Sequence, residues 1–213
     1  MRPTGRLEKL RSSASQRLIL FKTLVDGYSL PVESEHDRVV AFVTIEALNL
    51  WSLFCRSFYL SCIFNAKRST GIPVSISLLG VQTKSDAITF AIKQMRPKIK
   101  GNGPWSYLDE PPWRKPRTLL QLLQVVGASN LNQVQAGFAY PTPVFEELPR
   151  IRNFFAHRSE GTKFETMRVA RTVGVSTRLR PSEIMCSYGP GRPQNVICDW
   201  LDDMRHVVNL VCH

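Results

Sequence analysis

Apolar residues recur three and four positions apart along most of the chain, which is the spacing of one face of an α-helix. Over 6–25 these positions include Leu7, Leu10 and Leu18. Segment 38–65 is longer and apolar nearly all round, which is typical of a buried helix at the centre of a bundle. The same spacing predicts further helices over 84–96, 117–127, 129–138, 163–172 and 194–212. The pattern therefore predicts an all-α fold, a helical bundle with a long loop and additional helices towards the C-terminus.

Two stretches break the helical pattern. Segment 67–83 contains Gly71 and Pro73 among alternating apolar residues, so it is either a short strand or an extended loop. After it, Ser85-Asp86 offers side chains that can cap the start of the third helix. Segment 97–116 contains five prolines and two glycines and fits no regular element. A loop of this length inside a compact domain is usually functional or mobile.

The inserted loop 97–116 interleaves basic and aromatic side chains. The candidates for contact with RNA are Lys98, Lys100, Trp105, Trp113 and Arg114. Cations that bind phosphate, together with rings that stack on bases, suit single-stranded RNA. The loop is therefore a candidate RNA-binding segment. The alternative is that the tryptophans pin the loop onto its own domain.

The composition favours a globular protein with a polyanionic or acidic partner. Of the 213 residues, 43% are apolar, which is enough for a sizeable core, and the formal net charge is +11. The isoelectric point is about 9.8. A positive surplus of this kind favours nucleic acid or an acidic protein as the partner. No repeat, low-complexity tract or clear boundary divides the sequence, so a single domain over 1–213 is predicted.

The cysteines and the apolar segments bear on the compartment. The five cysteines form no C-x-x-C pair, so buried free thiols in a reducing cytoplasm are expected. Segment 39–64 is apolar enough to raise the question of a membrane span, but Glu46, Asn49 and Arg56 interrupt it. A charge near the centre of a bilayer costs about 2.5–3.5 kcal/mol. A buried helix of a cytoplasmic protein is the better interpretation, with no membrane partner.

Segment 150–158 combines an apolar helical face with basic and polar side chains. Apolar residues at Leu148, Ile151, Phe154 and Phe155 fall at helical spacing and predict one buried face. Pro149 suits the first turn of a helix, where its missing N–H costs nothing, and Gly161 suits a helix end. A helix that begins at Pro149 and stops before Gly161 is therefore predicted.

The polar side chains of this helix can act on a phosphodiester. Arg150, Asn153 and His157 share one stripe, while Arg152 lies about 140° from His157 around the axis and must swing towards it. Arginine offers a planar charged fork that matches phosphate oxygens, and histidine can move a proton near neutral pH. In RNA the 2′-OH is itself a nucleophile. His157 would transfer its proton, Arg152 would stabilise charge on the phosphoryl oxygens, and Asn153 would orient the phosphate or the imidazole.

Signatures of other active sites are absent from the sequence. It contains no P-loop, no G-x-S-x-G and no spacing of zinc ligands, so no metal and no cofactor are predicted. Of the seven aspartates, three lie together, at Asp199, Asp202 and Asp203, where helical periodicity predicts a solvated face. Cleavage of phosphodiesters would therefore have to proceed without a metal ion.

The stretch Arg152-Asn153-x-x-x-His157 resembles the Arg–polar–x3–His signature of the HEPN superfamily, all-α domains that include many metal-independent ribonucleases. The resemblance covers about 15 residues, and the remainder of the chain shares only helical character with the family. It implies a homodimer in which two such motifs face one cleft. It also implies a toxin or an antiviral-defence effector, with an antitoxin or a nucleotidyltransferase-like protein as a partner.

Further residues are candidates for supporting roles, and other functions stay open. Arg150 and Glu46 could orient the site, although Glu46 could equally form a partly buried ion pair of structural origin. Arg158 is a candidate contact to RNA. One rival function is a non-catalytic helical module that binds RNA or protein through the same basic surface. The other is a structural interaction protein that uses exposed tryptophans.

Overall fold

A computed structural model describes residues 1–77, 80–101 and 103–213 of the chain. Over these residues the fold is all-α, as predicted, and its only β-type contacts are isolated bridges. The helices are α1 (Leu7–Val25), α2 (Ser34–Ile63), α3 (Lys84–Met95), α4 (Pro116–Val125), α5 (Leu131–Phe138), α6 (Val144–His157), α7 (Glu160–Val173), α8 (Pro181–Cys186) and α9 (Val196–Cys212). The short α8 was not predicted, because six residues are too few for a periodic signal.

The described chain forms two compact units, each built from separate stretches. Unit 1 comprises Met1–Ala14, Leu50–Tyr140 and Val207–His213, and unit 2 comprises Ser15–Asn49 and Pro141–His206. Because these stretches alternate along the chain, no single position in the sequence separates one unit from the other.

Aromatic side chains of α2 form the core of unit 1. Trp51, Phe54 and Tyr59 are at most 1% exposed, and the rings of Trp51 and Phe54 stack with centroids 5.4 Å apart. The hydroxyl of Tyr59 donates to the backbone oxygen of Ala87 over 3.1 Å, and burial raises the pKa of Tyr59 well above its usual value. This half of α2 is buried as the all-round apolar pattern predicts.

The inserted loop is fixed to unit 1 by one carboxylate. Glu110 accepts two hydrogen bonds from Arg56, over 2.6 and 2.8 Å, and a third from the indole Nε1 of Trp113 over 2.7 Å. The ring of Trp113 lies 5.5 Å from that of Tyr59 and is 2% exposed. Trp105 donates through Nε1 to the hydroxyl of Thr89 over 2.7 Å. The loop is therefore held by its own polar and aromatic groups.

These contacts correct the prediction that both tryptophans stack on RNA bases. Trp113 cannot stack on a base because its ring is enclosed in the core of unit 1. Trp105 is half-buried, and its N–H is satisfied by Thr89. The alternative, in which the tryptophans pin the loop onto its own domain, describes the observed packing. Lys98, Lys100 and Arg114 lie exposed on the loop, as a phosphate contact requires. Asn102 lies outside the described residues.

Segment 67–83 is an extended connection rather than a strand over its described residues. Lys67 makes isolated bridges with Arg6 and Pro73, and no ladder follows them. Leu78 and Leu79, on which part of the alternating pattern falls, lie outside the described residues. At the end of the segment, Thr83 rather than Ser85 caps α3.

The cap of α3 is a capping box. The hydroxyl of Thr83 accepts from the backbone N–H of Asp86, and the Asp86 carboxylate accepts from the backbone N–H of Thr83 over 2.8 Å. These hydrogen bonds from Thr83 hold the pKa of Asp86 below its usual value. The predicted cap at Ser85-Asp86 was wrong by two residues, because Asp86 fills the third helical position and not the cap.

The limits of α6 differ from those predicted. The helix begins at Val144, so that Pro149 lies inside it rather than in its first turn. Val144 and Leu148 are both buried and extend the apolar face one turn further towards the N-terminus than the sequence indicated. The helix ends at His157, and Arg158 follows in the left-handed conformation. Gly161 ends no helix, because it lies in the first turn of α7.

The acidic residues of α9 do not form a solvated face as predicted. Lys22 donates to Asp202 over 2.6 Å, and Thr142 donates to Asp203 over the same distance. Partial burial acts to raise the pKa of Asp202, but the hydrogen bonds from Lys22 and Gln194 outweigh it, so the pKa lies below its usual value. The carboxylates are thus internal partners within unit 2, and periodicity alone could not reveal this.

The thiols and the longest helix bear on the compartment. All five cysteines are buried and free, as predicted, and burial raises the pKa of Cys198 to about 11 and that of Cys62 and Cys186 to about 12. By length and composition, Ser34–Ile63 could cross a membrane, but half of its most apolar 18-residue window is buried inside the fold. Core helices of soluble proteins have these same properties.

Candidate active site

Of the predicted catalytic residues, Asn153 and His157 lie on the outward side of α6, and Arg152 lies on its flank. The inward face carries Val144, Leu148, Ile151 and Phe155, all at most 8% exposed. At 100° per residue, Arg152 lies about 70° from the centre of this apolar face. Arg152 and Asn153 are half-buried, and His157 is exposed.

The side chains of Arg152, Asn153 and His157 make no hydrogen bond or ion pair with any residue in 1–77, 80–101 or 103–213. Their donors and acceptors are therefore available to a ligand. Five helical residues separate Arg152 from His157, which corresponds to about 7.5 Å along the axis and about 140° around it. Within one chain, ideal helix geometry thus makes the two side chains leave α6 in directions about 140° apart.

Arg150 is committed to the fold and does not face a ligand. Its Nη1 donates to Glu165 of α7, and its Nε lies 3.3 Å from Glu147. Partial burial acts to raise the pKa of Glu165, but the hydrogen bonds and charges of Arg168 and Arg150 outweigh it and hold the pKa below its usual value. Arg150 therefore joins α6 to α7, and its predicted role as a support for the catalytic groups stays a prediction.

Glu46 also differs from its predicted supporting role. Its carboxylate accepts from the side-chain amide of Asn49 over 2.9 Å, one turn along the same helix. Among the described residues it forms no ion pair, so neither the orienting role nor the structural ion pair expected from the sequence is present.

A tight turn connects the motif helix to α7. Arg158 adopts φ 44° and ψ 42°, a left-handed conformation that costs an L-residue roughly 1–2 kcal/mol. Ser159 then caps α7, with its hydroxyl accepting from the backbone N–H of Thr162 over 3.2 Å. The hydroxyl of Thr162 accepts in return from the backbone N–H of Ser159 over 3.0 Å. The side chain of Arg158 is left 66% exposed, one residue beyond His157.

A basic groove lies at this turn, entirely within unit 2. The cavity measures about 760 Å³ and is bounded by the end of α6, the first turns of α7 and segment 177–181. Its basic residues are Arg158, Lys163, Arg178 and Arg180, and its one acidic residue is Glu160. We call this cavity the basic groove.

Sequence reasoning found only part of the basic groove. It identified Arg158 as a contact to RNA, but it did not bring Lys163 to it. The missing signal was the Ser159-x-x-Thr162 capping pair, which places the start of α7 at Glu160 and hence Lys163 in its first turn. The exposed cations Lys98, Lys100 and Arg114 belong to unit 1, whereas the motif and the groove belong to unit 2.

Across the described ranges, no three His, Cys, Asp or Glu side chains are grouped so that they could hold a metal ion. No protein-family model, curated protein or solved structure matches this chain.

Proposed function

We propose that the protein is an endoribonuclease that cleaves RNA without a metal ion, through Arg152, Asn153 and His157. The observation that carries the proposal is the presentation of these three side chains. Their polar atoms make no contact with the described chain, and Arg158, which directly follows His157, lines the basic groove. A guanidinium and an imidazole placed in this way are available to a phosphodiester, and the net charge of +11 favours such a ligand.

The reaction follows from the chemistry of RNA. The 2′-oxygen attacks the adjacent phosphorus, the bond from phosphorus to the 5′-oxygen breaks, and the proton passes from the 2′-oxygen to the leaving 5′-oxygen. His157 takes or gives that proton. Arg152 stabilises the negative charge that builds on the phosphoryl oxygens, and Asn153 orients the phosphate. The products are a 2′,3′-cyclic phosphate and a 5′-OH.

The proposal includes a homodimer. Arg152 and His157 lie about 140° apart around α6. A single chain can therefore bring one of them to a phosphate more easily than it can bring both to the same phosphate. Two copies of α6 that face each other could supply the arginine from one chain and the histidine from the other. The similarity of Arg152-Asn153-x-x-x-His157 to the HEPN signature supports the same arrangement.

The biological role is the part of the proposal that rests only on that similarity. We propose a cytoplasmic toxin or antiviral-defence effector, with an antitoxin or a nucleotidyltransferase-like protein as its partner. The apolar helix Ser34–Ile63 is then a core helix, in keeping with its partial burial.

A non-catalytic module that binds RNA or protein is the second candidate. The divergence of Arg152 and His157 within one chain favours it, because two separated groups can each contact a phosphate without acting on the same one. In that case the protein binds RNA with an affinity that falls as salt rises but leaves the RNA intact.

Incubation with RNA in EDTA separates the two candidates. We expect cleavage to continue in EDTA and to leave 2′,3′-cyclic phosphate and 5′-OH ends, because the 2′-oxygen is the nucleophile. The ends are identified by phosphatase and kinase treatment followed by gel electrophoresis. A strand in which every 2′-OH is replaced by hydrogen should remain intact. RNA that stays whole at high protein concentration, or is cut only with magnesium, would refute the proposed mechanism.

Dilution tests the dimer. We expect light scattering to give twice the mass of the 24.2 kDa chain, and cleavage per chain to fall as the protein is diluted below its dissociation constant. Mixing inactive Arg152→Ala chains with inactive His157→Ala chains should restore part of the activity, since mixed dimers contain one intact pair. A monomer that cleaves at full rate at every concentration would exclude the shared site.

A further inference from the structure

The basic groove has cations that stand ready for a ligand. The side chains of Arg158, Lys163 and Arg180 are 66%, 61% and 57% exposed, and Arg178 is exposed as well. Arg158 and Lys163 lie 4.0 Å from Asp37 and Glu160, which is too far for a strong hydrogen bond. Four positive groups line the groove against the single lining carboxylate of Glu160, and Glu183 and Asp37 lie beside Arg180 and Arg158, which together leaves a smaller positive surplus. Anions are therefore its natural ligands.

Arg180 is held in place more firmly than the other three. Its guanidinium donates to Glu183 over 2.9 Å and to the backbone oxygen of Val32 over 2.8 Å. An arginine has five N–H donors, so these two bonds leave others for a second acceptor. Arg180 is thus a positioned cation at the rim, and the remaining three can adjust to the ligand.

The lining of the basic groove also includes four apolar residues, which we call its floor, while we call the four cations its rim. The floor consists of Phe154 of α6, Met167 of α7, Leu179 of the connection between α7 and α8, and Pro181 at the start of α8. An inorganic anion would gain nothing from such a surface, whereas a nucleobase buries its faces against apolar and aromatic side chains. The volume of about 760 Å³ lies within the range of small-molecule sites, roughly 300–1,000 Å³. The groove thus combines a phosphate-binding rim with a base-binding floor.

The groove begins where the catalytic helix ends. Arg158, which directly follows His157, is one of its lining residues. A strand whose scissile phosphate lies at His157 therefore brings its neighbouring nucleotide to the groove. A base that is paired in a duplex cannot reach the apolar floor, so the strand must be single there.

We infer that the basic groove binds an unpaired nucleotide of the RNA substrate next to the cleaved phosphate. The inference rests on the proposed function in that it takes the bound polyanion to be RNA. The base lies on Phe154, Met167 and Leu179, and the flanking phosphates lie between the cations of the rim. The groove then helps to select where the strand is cut.

Binding is measured by fluorescence anisotropy with a labelled single-stranded RNA of 12 nucleotides, in the His157→Ala background so that the probe stays intact. We expect Lys163→Gln/Arg178→Gln to weaken binding roughly 10-fold at moderate salt, since two cations that contact phosphate are lost. The slope of log affinity against log salt should become shallower by about 1.4, at about 0.7 per phosphate contact on a single strand. Both residues are exposed, so the variant should unfold at the same temperature as the parent.

The matched control removes the same charge elsewhere. Arg117→Gln/Arg171→Gln also deletes two exposed cations, and neither of these residues lines the groove. We expect this control to bind RNA within about 2-fold of the parent. Equal weakening by the two double variants would overturn the inference, because binding would then depend on net charge and not on the groove. Binding of adenosine monophosphate as tightly as the 12-nucleotide RNA would also overturn it, in favour of a site for free nucleotides.

Cleavage by the active protein separates this inference from the proposed function. We expect the groove variant to raise KM for RNA and to leave kcat nearly unchanged, because the groove binds a neighbouring nucleotide and touches no reacting atom. RNA that is bound through the groove but never cut would end the ribonuclease proposal and leave the groove assignment standing. If the parent cleaves RNA and the groove variant has the same KM, the groove assignment is refuted and the ribonuclease proposal stands.

Discussion

His157→Ala should reduce the rate of RNA cleavage by a factor of roughly 10²–10⁴, the usual contribution of a positioned proton-transfer group. The imidazole is exposed and makes no polar contact with the described chain, so its loss should leave the fold intact. The rate is measured with excess protein over RNA, and the melting temperature is measured beside it. A variant that melts normally but still cleaves at the parental rate would remove His157 from the mechanism.

Replacement of Arg152 should also slow RNA cleavage. Arg152→Ala should lower the rate by a similar order, and Arg152→Lys should restore little of it, because an ammonium lacks the planar fork that matches two phosphate oxygens. Arg150→Met is the matched control on the same helix. It leaves the half-buried Glu147 without its cation, so we expect a loss of about 1–3 kcal/mol in the free energy of unfolding. Cleavage per folded molecule should survive in this control. If Arg150→Met abolished cleavage and Arg152→Ala did not, the motif would be assigned two residues too late.

Glu110→Ala should lower the free energy of unfolding by about 3 kcal/mol, near the lower end of the cost of breaking a buried ion pair, since Arg56 is one-third exposed. The change removes three hydrogen bonds and leaves both Arg56 and the N–H of buried Trp113 without this acceptor. The free energy is obtained from urea unfolding followed by circular dichroism. Tryptophan fluorescence, to which Trp105 and Trp113 of the loop contribute, should change before the helices unfold.

Two variants sharpen this result. Arg114→Ala lies four residues further along the same loop but carries an exposed side chain, so it should change the free energy of unfolding by no more than about 0.5 kcal/mol. Arg56→Met/Glu110→Leu removes both charges and should recover part of the loss, because no buried charge is left unpaired. Unfolding of Glu110→Ala at the parental urea concentration would mean that the carboxylate does not hold the loop.

The helices could be predicted because their apolar faces keep a regular spacing, but two of their ends could not. The sequence predicts a helix start at Pro149 and a helix end before Gly161. In the fold, buried Val144 and Leu148 extend α6 back past the proline, although a proline in this position removes one helical hydrogen bond. The stop comes from Arg158 in a conformation that glycine usually adopts. Side-chain packing thus determines where α6 begins, and the backbone conformation of one residue determines where it ends.

The candidate site was predictable where it is local in sequence. Arg152, Asn153 and His157 lie within six residues of one helix, so the sequence alone places them close together along its axis. Arg150 could not be assigned in this way, because its partner Glu165 comes from the next helix and is found only when α6 and α7 pack together. The prediction for the loop tryptophans was wrong for the same reason, namely that it depends on distant partners. The burial of Trp113 depends on Tyr59 and Glu110.

The strained turn at Arg158 has a consequence for attempts to improve the protein. Glycine adopts a left-handed conformation without the steric penalty that an L-residue meets, so selection for heat resistance would favour Arg158→Gly. That same replacement deletes the cation that connects the motif helix to the basic groove. Variants chosen for thermal stability alone would thus be drawn towards weaker RNA binding. Stability and function oppose each other at this one residue, as they commonly do at functional sites.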